Sequence, residues 1–166
     1  MADQKIAYGS SAALTITLAS LASDTNLLAG RESTAIDNTS NLYLDYLLSG
    51  KVTTGTSPTT GKSINIYVYA LMEDSTYPDV LTGTDSNKTI TNAQVRDSSL
   101  VLAISMATIA TSDISYYFAP VSIAALYGGS LPKKFGVFVV HDTAVNLNST
   151  GSDQAIYVTP VYGTSG

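Results

Sequence analysis

The chain has no cysteine and no tryptophan, a single histidine, and only 8 lysines and arginines against 13 aspartates and glutamates. Without cysteine there are no disulfides and no thiolate metal ligands, so stability must come from a core or from assembly with other copies. Charged residues make up 13% of the chain, about half the usual share. The basic residues are scattered, with one adjacent pair, Lys133–Lys134. Nucleic-acid binders cluster such residues to neutralise phosphates, so at a net charge of −5 no contact with DNA or RNA is expected. Long apolar runs are also missing. The longest uncharged stretch, from Ile114 to Pro132, is broken by Pro120, Gly128 and Gly129, which argues against a membrane span. The first residues, MADQKIAYGSS, show no basic region followed by an apolar run, so no secretory leader is expected.

What is present favours extended chain. Apolar residues make up 45%, enough for a core in a chain of 166 residues. Thr, Val, Ile and Tyr are abundant, and such side chains fit a pleated surface. A mean hydropathy of +0.17 with so little charge suggests a surface partly covered by a partner.

Period-two runs separated by turn residues predict at least seven strands. Leu14 to Leu18 alternates apolar and hydroxyl side chains. Leu42, Leu44, Tyr46 and Leu48 share one face of a second run, ending near Val52. Ile64, Ile66, Val68 and Ala70 share one face of a third, with Tyr67 and Tyr69 on the other. Leu100 to Met106, Tyr116 to Val121, Phe135 to Val140 and Ile156 to Tyr162 complete the set, and a short extra strand is placed near Leu27–Leu28. Helical turns are expected only at Ser122 to Tyr127 and Asn92 to Asp97. The crossing connections Thr53 to Lys62 and Asp74 to Ser98 favour a jelly-roll or Greek-key β-sandwich over a meander. The organisation expected is a loose arm over residues 1–10, one all-β sandwich domain over 11–162, and a loose tail over 163–166.

Motifs for chemistry are weak. Gly55 to Ser63 resembles a phosphate-binding loop, but it is one residue too long and leads into a strand pattern where the loop needs a helix. It reads as a polar hairpin loop. His141 closes a strand beside Asp142, without a nucleophile elbow, and is expected exposed. Asp85 to Thr89 begins like a calcium loop but has no central glycine, and Arg96 stands where a glutamate is needed, so a solvated turn is expected. No cofactor and no metal site are expected. Glu32, Glu73 and Asp74 suit a pair of hydrolytic carboxylates by type alone. Arg31–Glu32 interrupts an uncharged stretch and reads as a structural ion pair or an interface contact. Eleven tyrosines point to strands and interfaces, or to sugar stacking. The candidate interface residues are Arg31, Glu32, Tyr67, Tyr69, Tyr116 and Tyr117.

The C-terminal third carries a pattern of its own. Leu131-Pro132-Lys133-Lys134-Phe135-Gly136 opens a strand, His141-Asp142-Thr143 turns, and Ile156 to Tyr162 forms a tyrosine-bearing last strand. This resembles small virion proteins of tailed bacteriophages, of the capsid decoration or cement type. The resemblance assigns no residue roles. It implies a jelly-roll-like homo-oligomer, often a trimer, on the outer capsid surface of a virion, bridging neighbouring major capsid protein subunits after synthesis in the host cytoplasm. A carbohydrate- or receptor-binding module of a phage tail or surface structure is the alternative reading, and a hydrolase the third.

Overall fold

A computed structural model describes residues 3–165. In chain order the strands are β1 (Gln4–Tyr8), β2 (Ala12–Ala13), β3 (Ala29–Glu32), β4 (Ile36–Asp37), β5 (Asp45–Thr53), β6 (Ser63–Ala70) and β7 (Ser86–Thr89). Helix α1 (Ala93–Ser99) follows, then β8 (Val101–Ala107), β9 (Ser115–Ser122), helix α2 (Ile123–Leu126), β10 (Lys134–His141) and β11 (Ala155–Ser165). All pairing is antiparallel.

Two sheets result. Sheet A has the order β1-β11-β5-β9 with β2 beside β11, and sheet B the order β7-β3-β10-β6-β8 with β4 beside β10. Setting aside the short β2, β4 and β7 leaves eight main strands. Counted along the chain, sheet A then runs first, eighth, third, sixth, and sheet B runs second, seventh, fourth, fifth. That interlocking order is a jelly roll, so the expected all-β sandwich is found and its connectivity is resolved. The predicted helical turns appear as α1 and α2. Each is capped at its start by a side-chain oxygen, Asn92 Oδ1 taking Val95 N and Ser122 Oγ taking Ala125 N.

The core lies between the sheets. Leu48, Val52, Phe118, Ile156 and Val158 from sheet A meet Ile64, Ile66, Val68, Phe135, Val137 and Val139 from sheet B. A second core lies on the far side of sheet B. There Tyr67, Tyr69, Phe138 and Val140 are covered by Leu81, Ile90 and Leu100. These three belong to the excursion over residues 71–100, which also carries β7 and α1. Arg96 closes this layer, its guanidinium 5.6 Å from the Tyr67 ring centre and its Nη1 donating to the Leu27 carbonyl at 3.0 Å. The central strands β6 and β10 of sheet B are therefore buried on both faces, which explains why β10 reads as a nearly continuous apolar run and why both sides of β6 carry large side chains.

Several expectations change. The loose arm and loose tail pair with each other: Gln4 to Tyr8 lies in register with Ser165 to Val161. Gly163 and Ser165 hide the strand in the tail, and the five residues of β1 are too few to announce one in the arm. Met1, Ala2 and Gly166 lie outside the described residues. Leu14 to Leu18 is extended but makes no regular ladder; its alternation survives in the burial of Leu14 and Leu18. Leu42 and Leu44 are exposed and do not join the core face. The Asn38 carboxamide holds a tight turn, accepting from Tyr43 N and donating to Tyr43 O, each at 3.0 Å, and Leu42 sits at φ +53. Strand β5 can begin only after that turn. Residues 54–62 join β5 of one sheet to β6 of the other, so they form a crossing between sheets and not a hairpin.

Candidate functional site

His141 is wholly buried, against the expectation of an exposed strand end. Its Nε2 lies 3.0 Å from the Leu21 carbonyl and its Nδ1 2.9 Å from Thr143 Oγ1. A carbonyl only accepts, so Nε2 carries the proton and donates. Burial pushes the imidazole pKa below its ordinary value, against the opposing pull of the Leu21 carbonyl and Asp142. The ring thus ties the segment around Leu21 to the end of β10.

Arg31 and Glu32 do not pair with one another. Glu32 is fully buried and accepts from Thr82 N (2.9 Å), Thr82 Oγ1 (2.7 Å), Gly83 N (3.1 Å) and Ser86 Oγ (2.9 Å), with Lys88 Nζ at 3.4 Å. It anchors the 71–100 excursion onto sheet B and is removed as an interface residue. Arg31 Nε donates to Asp85 Oδ1 at 2.6 Å, and Thr17 adds two further bonds to the same carboxylate. Burial alone would raise the Asp85 pKa, but Arg31 and Thr17 outweigh it and hold the pKa low. Asp85 to Thr89 is accordingly not a free turn: Ser86–Thr89 pairs with β3. Tyr67 and Tyr69 belong to the second core, the Tyr69 hydroxyl donating to the Ser33 carbonyl at 2.8 Å, and both leave the interface set. Tyr116 is half-buried against the main core, and its hydroxyl accepts from Ile109 N. Of the six candidates, Tyr117 alone is freely available, at 73% exposure.

Tyr117 stands on the outer face of sheet A, opposite the side that packs into the main core. The outer face of sheet A follows from its register. Tyr117 lies opposite Lys51, and Lys51 opposite Ala155. The next row joins Ser49 to Tyr157, then Leu47 to Thr159, then Asp45 to Val161 and Tyr8. Ile6 follows opposite Gly163, beside Leu44. Tyr8, Ile6, Leu44 and Tyr157 are all exposed. Val161, on the same side, is buried and belongs to neither core cluster. The charges in these rows are Lys51 and Asp45, and Asp45 is already engaged, accepting from Ala124 N at 2.8 Å to fix α2.

Gly50 shapes the middle of this face. A β-bulge lies between Leu48 and Gly50, and β11 passes so close that a Cβ on Gly50 would collide with the Ala155 carbonyl oxygen. The result is a shallow depression of about 420 Å³ between Tyr117 and Tyr157, with Ser49 and Lys51 on its walls. A second cleft, of about 330 Å³, opens at one end of the sandwich between Leu14, Ile36, Tyr43, Tyr46 and Pro160, and no acid, lysine or histidine lines it. Among the described residues there is no group of three or more metal-ligating side chains, and no helix is long and apolar enough to cross a membrane.

The sequence reading missed Tyr157, Tyr8, Ile6 and Leu47 on this face. For Tyr157 the sequence carries a signal, since it has the opposite parity to the apolar pair Ile156 and Val158. Comparison with protein-family models, with curated proteins and with solved structures finds no match, so inference rests on the fold and its side chains.

Proposed function

We propose that this chain is a structural subunit of a bacteriophage virion, a decoration or cement protein that lays the outer face of sheet A across neighbouring major capsid subunits. A jelly roll by itself fixes no function. The observation that carries the reading is the difference between the two sheets. The chain uses residues 71–100 to cover the outer side of the central strands of sheet B, while on the corresponding face of sheet A it leaves Ile6, Tyr8, Leu44, Tyr117 and Tyr157 exposed with few charges among them. Large exposed apolar patches of this kind mark contact surfaces. Tyrosines at its centre suit a docking face, because they bury a wide ring and keep a polar hydroxyl. The reading assigns no catalytic role to any residue and requires no cofactor.

The test is co-sedimentation with phage heads, tails and neither, using the wild-type chain and the double variant Tyr117→Lys, Tyr157→Lys. Binding to heads that the double variant loses, with its thermal melt unchanged, is the expected result. A wild-type chain that sediments with no particle, or a double variant that binds equally well, would sink the proposal.

The depression between Tyr117 and Tyr157 supports a second reading, a sugar-binding module. Two exposed rings flank a glycine floor, with Ser49 and Lys51 placed to bond ring hydroxyls. A glycan array separates the two. Specific binding abolished by Tyr117→Ala favours the module, and a blank array removes it.

A further inference from the structure

Apart from the two-residue β2 and β4, four of the described strands end the two sheets, and three of them are guarded against adding another strand. β7 has four residues and carries Lys88. β9 carries Pro120, which has no N–H to give. β1 carries Lys5. β8 has no such guard: Val101–Ala107 reads VLAISMA, seven residues without charge, proline or glycine. Its ladder partner is β6, and among the described residues no strand lies on its other side. One irregularity, between Ile66 and Tyr67, leaves Ala103 as an extra residue. From Ile104 onward the register is regular, with Ile104, Ser105, Met106 and Ala107 opposite Ile66, Asn65, Ile64 and Ser63. Leu102 and Ile109, at 46% and 50% exposure, flank this edge.

An uncharged edge of this length presents a row of unpaired backbone donors and acceptors to any strand that fits. We infer that the occupant is a second copy of this chain, joined β8 to β8 in antiparallel register across a twofold axis at Ser105. In that register Ser105 faces its own copy, Ile104 faces Met106 of the second copy, and Ala103 faces Ala107. The faces agree. Ile104 and Met106 both pack inward against the main core, while Ser105 points outward, its Oγ 2.7 Å from Asn65 Oδ1. No charge is brought to the seam. Pairing β8 with any of the chain's other three edges would instead bring in Lys5, Lys88 or Pro120. The contact is isologous, so it closes at two subunits and runs one sheet through both. The solution unit is then a dimer, in place of the trimer that the virion resemblance implies. This inference uses the edge of sheet B and does not depend on what meets the face of sheet A.

The native chain has no cysteine, so a single introduced thiol reports cleanly. Residues directly opposite in an antiparallel pair have Cα atoms roughly 4.5–5.5 Å apart, within disulfide range. Ser105→Cys under mild oxidation is expected to give a disulfide-linked dimer several-fold faster than Ser152→Cys, an exposed site on the turn over Gly151–Asp153. Ser105→Lys, which sets two ammonium groups opposite each other, is expected to turn the wild-type dimer into a monomer in sedimentation velocity with the same far-UV spectrum. If Ser105→Lys proves unfolded, the crosslinking arm decides alone. A wild-type chain that is monomeric at every soluble concentration, a Ser105→Lys dimer, or equal crosslinking at the two sites would overturn the inference.

Discussion

Glu32→Ala should unfasten the layer that covers sheet B. The carboxylate has no exposure and gathers four hydrogen bonds from Thr82, Gly83 and Ser86, plus Lys88. Truncation leaves two backbone amides and an ammonium group without their buried acceptor. Removing one partner of such a buried arrangement costs about 3–5 kcal/mol. For a chain of this size about 2–4 °C of melting temperature goes with each kcal/mol, so the midpoint should fall by about 6–20 °C. Glu32→Gln keeps the volume and one acceptor oxygen and should fall between the two. Differential scanning calorimetry gives the midpoints, and hydrogen exchange locates the loss, which should be largest over residues 71–100 while β11 and β5 stay protected. Breaking the exposed Lys133–Asp74 pair, at 70% and 93% side-chain exposure, is the control and should leave the melt where it was. A Glu32→Ala protein that melts with the wild type, or one that loses protection evenly across both sheets, would refute the idea that this carboxylate fastens a separable cover.

Other outcomes follow from the same geometry. Phe135→Ala, at a wholly buried position between the sheets, should cost about 3–5 kcal/mol in a denaturant titration. Gly50→Ala should cost about 1–3 kcal/mol, since the new methyl would strike the backbone of Ala155 and Ile156 and force the strands apart. His141 gives a pH signature. Its folded-state pKa lies below the ordinary 6.5, so the unfolded chain takes up the proton first as pH falls. Stability is then full above pH 6.5 and declines below it, by at most about 1.4 kcal/mol per pH unit, until the folded-state pKa is passed. Chemical denaturation between pH 8 and 5 should show that slope, and His141→Gln should flatten it.

The fold was legible because the strong runs are two-residue patterns that the sandwich satisfies directly. Tyr67 and Tyr69 show where legibility ended. They alternate with Ile66 and Val68, and from one strand alone the second face reads as an open, tyrosine-bearing surface. What buries them is a segment about twenty residues further on whose Leu81, Ile90 and Leu100 are too sparse to register as a layer. Glu32 and His141 failed for a related reason. A charged or titratable side chain looks like surface until its buried partners are known, and those partners, Thr82, Ser86 and Leu21, are far away in sequence. The paired ends were invisible because Gly163 to Ser165 joins the sheet through backbone groups that any residue carries. Tyr117 is exposed directly beside the buried Phe118, a local alternation that the pair Tyr117–Phe118 carries on its own.

Hydroxyl-radical footprinting of the free chain and of the chain on intact particles tests the docking face most directly. Tyr8, Tyr117 and Tyr157 lie on the bare side of sheet A, while Met72, at 70% exposure, sits on the excursion that covers sheet B. Attachment to the particle should shield the three tyrosines and leave Met72 as reactive as before. Tyrosines that stay reactive while Met72 is shielded would place the contact on the opposite side of the molecule and contradict the account.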